Sequence, residues 1–258
     1  MKTFITDLRS ALLFITILPA GKNVAYSPIG MIKFFPVVGL ILGGLLLVFD
    51  RCVSFFWPPG TVAVLDVVFL VVITGAFHLD GLGDAADGLF SHRSKEQALE
   101  IMKDSRTGMM GLVAVFCILA IKIAGIYAIK TNGQISTTQW QYLFHTGLIL
   151  LLVPAYARAA TLFGIRFLEY GRKNTGTGLD LFKKPIGFKD FFFVVIIVAI
   201  SLVLGYKGLV LNGVFMITTV LIVWFYKRKL NCITGDMLGA MTEVTEAVLF
   251  LTAGAAFI

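Results

Sequence analysis

Charge is scarce in this chain. Only 14% of its 258 residues are Asp, Glu, Lys or Arg, against about 25% in an average soluble domain. Cysteine is scarcer still: Cys52, Cys117 and Cys232 stand alone, with no CxxC pair and no histidine at ligand spacing, so neither a disulfide framework nor a zinc site is indicated and the three thiols read as packing residues. There is no low-complexity tract, no internal repeat and no stretch polar enough for a separate soluble domain, so residues 1–258 read as one integral membrane domain. Nucleic acid is not an expected partner. The net charge of +7 comes from Lys and Arg scattered through short loops, without the interleaved aromatics of a binding face.

What remains is apolar. Hydrophobic residues make up 58% of the chain and the mean hydropathy is +0.90, which predicts an all-α, polytopic membrane helix bundle. A span takes about 20 residues. Candidates lie at 34–57, 61–79, 109–129, 141–164, 190–208, 210–226 and 233–257, about seven transmembrane helices in all, with breaks at Trp57-Pro58-Pro59-Gly60, Thr131-Asn132-Gly133, residues 165–189, Gly205 to Gly208 and Lys227-Arg228-Lys229. Residues 2–20 begin with a basic group and carry an apolar run too short to span easily, which predicts an N-terminal interfacial helix in preference to a cleaved signal. Counting Lys and Arg puts 17 of the 22 on one side of these spans, so that side is expected to face the cytosol and to carry helical loops.

Against so apolar a background the few acids stand out. Seven of the 15 acidic residues occupy three short stretches that the predicted topology brings to the same side. Asp80, Asp84 and Asp87 fall at i, i+4 and i+7 and so line one stripe of a helix, flanked by Gly81, Gly83, Ala85, Ala86 and Gly88. Three carboxylates so close repel unless a cation sits among them, and hard oxygen ligands suit Mg²⁺, Mn²⁺ or Ca²⁺. Lys103-Asp104-Ser105-Arg106 adds a fourth carboxylate and two cations suited to phosphate oxygens, just before Gly108 and Gly111, a pattern that predicts a phosphate cradle at a helix start. Asp236 opens the last span, with Glu243 and Glu246 further along the same face; acids at that depth need a task or a partner. His78 is either a helix-end hydrogen-bonder or a general base, and Arg158 either snorkels or faces an anion. Asp50 and Arg51 are expected to pair near the outer surface, and Asp66 and Lys122 have no assigned role. Two classes fit these residues: a metal-dependent membrane phosphotransferase acting on a diphosphate, and a cation-coupled transporter.

The motifs themselves are specific. His78-Leu79-Asp80-Gly81-Leu82 with Asp84, Asp87 and Gly88, Lys103-Asp104-Ser105-Arg106 with Gly108, and Thr234-Gly235-Asp236 with Leu238-Gly239-Ala240, Glu243 and Glu246 together resemble the cobalamin synthase family, the adenosylcobinamide-GDP ribazoletransferases. The resemblance runs nearly end to end, taking in Leu13-Phe14-Ile15-Thr16 with Leu18-Pro19, Phe35-Pro36 with Gly39 and Gly43, and Arg158, while the spacing drifts over 165–189. It implies an enzyme of the bacterial cytoplasmic (inner) membrane whose site faces the cytosol. The expected reaction joins adenosylcobinamide-GDP to α-ribazole or its 5′-phosphate with release of GMP, and Mg²⁺ is the expected cofactor. On that reading Asp80, Asp84, Asp87 and Asp104 would hold the metal. Lys103, Ser105, Arg106 and Arg158 would bind phosphate, and His78 or one of Asp236, Glu243 and Glu246 would take the hydroxyl proton. The alternative enzyme is a CDP-alcohol-type lipid phosphotransferase, whose DGxxAR start is missing here because Gly81 is followed by Leu82-Gly83-Asp84-Ala85. Association of like chains stays open.

Overall fold

The computed structural model describes residues 2–104, 106–136, 139–172, 176 and 178–255. Among them the chain is helical, with no strand beyond one isolated parallel bridge between Tyr170 and Ile233. In order the helices are α1 (Lys2–Ile15), α2 (Pro28–Ile32), α3 (Phe35–Val53), α4 (Pro59–Ile73), α5 (Phe77–Leu89), α6 (Lys95–Ile101), α7 (Met109–Ser136), α8 (Gln139–Phe167), α9 (Phe192–Ser201), α10 (Tyr206–Lys229) and α11 (Gly235–Ala253). Short 3₁₀ turns at Leu179–Phe182, Phe188–Phe191 and Leu202–Leu204 complete the loops.

Among the described residues four helical stretches are long and apolar enough to cross a bilayer: Phe35–Val53, Met109–Asn132, Leu143–Phe167 and Tyr206–Lys229. The protein is therefore an integral membrane protein with a polytopic helical fold. The expected count of about seven is not confirmed, for three local reasons. The run at 61–79 breaks at Gly75 and Ala76, both left-handed with φ +59° and +57°, so that α4 and α5 meet at 89° and make at most one bent span. The run at 190–208 divides into a 3₁₀ turn, the ten residues of α9 and another 3₁₀ turn, shorter than the about 20 a crossing requires. The last run does form α11, but that helix carries Asp236, Glu243 and Glu246 and is buried along most of its length.

Burial separates inner from outer spans. Leu143–Phe167 has 83% of its apolar window inside the protein, whereas Met109–Asn132 has 22% and Tyr206–Lys229 28%. Thus α8 and α11 form the centre, and α7 and α10 turn most of their apolar surface outward, as lipid-facing helices must. The N-terminal helix α1 is amphipathic as expected: Phe4, Ile5 and Leu13 are exposed while Ala11 and Ile15 are buried. Of the three cysteines read as packing residues, only Cys232 is buried; Cys52 and Cys117 lie exposed.

The tightest helix pair is α3 against α8, and glycine makes it so. Gly39 and Gly43 are four residues apart, which places both on one stripe of α3. A methyl group at Gly43 would stand 2.7 Å from the Cα of Leu151. Gly43→Val should therefore force α3 and α8 apart and destabilise the protein by about 1–3 kcal/mol, read as a lower melting temperature in detergent, whereas Gly213→Ala, on α10 with nothing within 4 Å of its added methyl, should change it little. Equal melting of the two variants would contradict this packing.

Candidate functional site

Helix α5 lies across the start of α11, and small residues allow it. A methyl group on Gly81 would sit 2.9 Å from the Asp236 carbonyl oxygen, and one on Gly239 would sit 3.0 Å from the His78 carbonyl oxygen. This crossing brings the carboxylate stripe of α5 beside the first turn of α11. Asp84 is half-buried and lies in the fields of Asp80, Asp236, Arg172 and Asp87. Asp80 is exposed, and neither Asp80 nor Asp84 makes a hydrogen bond or ion pair with another described residue.

Asp87 is differently placed. Its two oxygens accept from the backbone N–H of Gly108 at 2.6 Å and of Gly111 at 2.8 Å. The carboxylate thus caps the start of α7, where the sequence predicted a phosphate cradle, and it satisfies amides that an anion would otherwise attract. Asp104 lies in the exposed loop before α7 and is held by Arg106, whose guanidinium donates to it through Nη2 at 2.6 Å and Nε at 3.1 Å. That cation keeps the Asp104 carboxyl below the usual carboxylate range. Lys103 is exposed beside them, and Ser105 lies outside the described residues. No three Asp, Glu, His or Cys among the described residues gather into a group able to hold a metal ion, so Asp80, Asp84, Asp87 and Asp104 do not form one cage.

Asp236 is positioned by the loop that precedes α11. Gly171 N–H donates to the Ile233 carbonyl at 2.8 Å and Ile233 N–H to the Glu169 carbonyl at 2.9 Å, which pins residues 169–171 alongside 233. Arg172 is thereby aimed at the helix start: Nη2 donates to Asp236 Oδ2 and, at 3.0 Å, to the Met102 carbonyl. Thr234 caps α11 by accepting from Met237 N–H at 3.3 Å and also donates to Asp236 Oδ2 at 3.3 Å. Oδ1 of Asp236 has no hydrogen-bond partner among the described residues. Arg172 is the residue sequence reasoning missed, because it lies in the stretch where the motif spacing drifts.

Glu243 and Glu246 sit further along α11 and are not open to solvent. Lys122 Nζ of α7 donates to Glu243 Oε2 at 2.5 Å and to Glu246 Oε1 at 2.8 Å, and Arg158 of α8 pairs with Glu246 Oε2. All four residues are at most 5% exposed. They make a buried quartet of two cations and two anions joining α7, α8 and α11. A lysine within one predicted span and two glutamates within another each call for an opposite charge, although nothing local in the sequence joins them. His78 is buried as well, and its Nδ1 has no partner among the described residues. A second buried cluster occupies α3, α4 and α7, where Lys130 pairs with Asp50 and, at 3.5 Å, with Asp66; Arg51 is only 3.9 Å from Asp50, so the Asp50–Arg51 pair expected near the outer surface is secondary to Lys130.

Removing one member of a buried ion cluster leaves a partner uncompensated, a loss of about 3–5 kcal/mol, whereas replacing a whole pair can be near neutral. Glu243→Gln and Lys122→Met should each lower the melting temperature in detergent, and the double variant should lose less than the sum of the two. Strict additivity would show that the pair is not coupled.

The comparisons bear on the whole chain. A family model described as cobalamin-5-phosphate synthase matches residues 7–254. A protein of Acetivibrio thermocellus called adenosylcobinamide-GDP ribazoletransferase is 36% identical over 220 residues, 84% of this chain and 84% of its own length. Proteins of the same description from Clostridium botulinum strain Okra and from Alkaliphilus metalliredigens are 33% and 35% identical, covering 97% and 94% of this chain and 98% and 92% of their own. No solved structure matches. With the aspartate stripe, the Lys-Asp-Ser-Arg loop and the acidic start of α11 all inside the matched span, the chain belongs to the cobalamin-5-phosphate synthase family.

Proposed function

We propose that this protein is a membrane phosphotransferase that joins adenosylcobinamide-GDP to α-ribazole or its 5′-phosphate and releases GMP, a reading supported by relatives named adenosylcobinamide-GDP ribazoletransferase. The observation that carries the reading is the pair of carboxylates Asp80 and Asp84, without a partner among the described residues and set beside an Asp236 that is oriented through one oxygen. The site would face the cytosol across the bacterial inner membrane, since Lys103, Arg106, Arg172 and the basic end of α10 fall on the Lys- and Arg-rich side.

The residues fit a magnesium ion, which commonly binds through one or two carboxylates and shares its remaining positions between water and substrate phosphates. Asp80 and Asp84, hard donors one turn apart with no partner among the described residues, are the ligands in this reading, and no third protein carboxylate is required. When bound, Mg²⁺ would neutralise charge on the diphosphate and on the departing phosphate. The chain's own cations do the rest of the positioning. Lys103 and Arg106 receive phosphate oxygens from the exposed loop, and Arg172 holds Asp236 in place. The ribose 3′-hydroxyl oxygen attacks the phosphorus on the corrinoid side chain, a new P–O bond forms, and the bond to GMP breaks with its electron pair leaving on GMP. The hydroxyl proton passes to Asp236 Oδ1, which its Arg172- and Thr234-bound partner oxygen orients. Glu243, Glu246 and Arg158, engaged with each other and with Lys122, stabilise the bundle beneath.

Purified protein should release GMP from adenosylcobinamide-GDP only when α-ribazole is present, and should give no turnover with CDP-diacylglycerol. EDTA should stop the reaction and Mg²⁺ restore it. Asp84→Asn should lower turnover by about 10³-fold or more, the loss of several kcal/mol of charge stabilisation, without lowering the melting temperature, because Asp84 has no structural partner to lose. Near-normal turnover in that variant would remove Asp84 from the site.

A further inference from the structure

Between α1, α3, α5, α8 and the start of α11 runs a slot with a free volume of about 30 Å³, room for a few waters as it stands. Its walls are hydrophobic, with Phe14, Phe35, Phe77 and Leu238 prominent, and the rings of Phe14 and Phe35 lie nearly parallel at 6.1 Å while Phe14 and Phe77 meet edge-on at 5.7 Å. Three polar side chains interrupt this lining; Thr161 donates its hydroxyl to the Arg158 carbonyl, while His78 and Arg158 are 4% and 2% exposed. Each carries a buried nitrogen without a partner among the described residues, Nδ1 of His78 and Nε of Arg158. Such atoms cost stability unless something bonds them.

We propose that this slot binds the base of the ribazole substrate, a flat, uncharged heteroaromatic ring with a ring nitrogen able to accept a hydrogen bond. The inference rests on the ribazoletransferase reading above and specifies which surface takes the smaller substrate. An anion is not what the slot asks for, because Glu246 already neutralises Arg158. A lipid chain would fill the walls yet offer no acceptor to Nε–H and no partner to Nδ1. A benzimidazole meets the demand of Arg158: its faces match phenylalanine rings, which favour offset or edge-on contacts, and its one free ring nitrogen accepts from Arg158 Nε–H. The slot is narrow, so an entering ring must displace a wall, and Phe14, half-buried at the N-terminal helix, and Phe77, which is exposed, are the walls able to yield. Gly235 lines the same slot next to Asp236, so a ribose attached to a base held here lies on the side of the proposed proton acceptor.

The test uses the full-length protein in detergent micelles, with calorimetric titration of α-ribazole and of free benzimidazole alongside steady-state kinetics. Benzimidazole should compete with α-ribazole and not with adenosylcobinamide-GDP. Phe14→Trp, which thickens one yielding wall, should weaken α-ribazole binding and raise its KM by about tenfold, a loss of about 1.4 kcal/mol, while the KM for adenosylcobinamide-GDP stays as it was. Leu238→Phe, narrowing the slot from the opposite wall, should do the same, and a melting curve for each variant identifies any that is unfolded. A rise in KM for both substrates together, or unchanged α-ribazole binding in folded variants, would overturn the assignment. If the unsubstituted protein released no GMP from the two substrates, the functional reading itself would fail; release of GMP with insensitive variants would sink the slot alone.

Discussion

The neutral quartet of Lys122, Arg158, Glu243 and Glu246 is the constraint on which the arrangement of the site depends. Ionised groups can be kept in so apolar an interior only if each finds an opposite charge, and here the four close on each other with none left over. Satisfying them fixes α11 against α7 and α8 in both rotation and depth, since a register shift would separate both glutamates from their cations together. Asp236 lies seven residues before Glu243 on that helix, about 10 Å along its axis. The position of the reacting end is thus set by ion pairs well beneath it.

Depth and rotation of α11 would not suffice if α5 could not come close. Gly81 and Gly239 remove side chains at the point where the two helices cross, and backbone approaches backbone. That is why residues from distant parts of the chain share one field: Asp80 and Asp84 from α5, Asp236 from α11, and Arg172 from the loop tied to α11 by the bridge at Ile233. Asp87, on the same stripe of α5, is turned to capping α7 and so ties a third helix to the crossing.

Much of this was legible in the sequence, and the parts that were not share a cause. Apolar runs located α3, α7, α8 and α10 within a few residues, because lipid-facing and core helices are written in composition. The i, i+4, i+7 spacing placed Asp80, Asp84 and Asp87 on one helix, because that periodicity is local. Hydropathy overcounted spans because it registers how apolar a run is and not whether its backbone stays helical: the turn at Gly75 and Ala76 lies within apolar sequence, and so do the 3₁₀ turns around α9. Pairing across the fold was hidden for a different reason. Nothing near Lys122 announces Glu243 and Glu246, more than a hundred residues away, and nothing near Arg172 announces Asp236; only the packing joins them.

The bend at Gly75 and Ala76 does more than shorten a span. Had α4 run on without a break, the aspartate stripe would sit in mid-helix, where the peptide dipoles cancel along the axis. The break starts a new helix at Phe77, and Asp80 falls in its first turn, at the positive pole of α5, where a carboxylate gains about 0.3–1 kcal/mol from the helix dipole. A turn that hydropathy cannot register thus supplies, from backbone alone, part of the charge that lets neighbouring acids stay together.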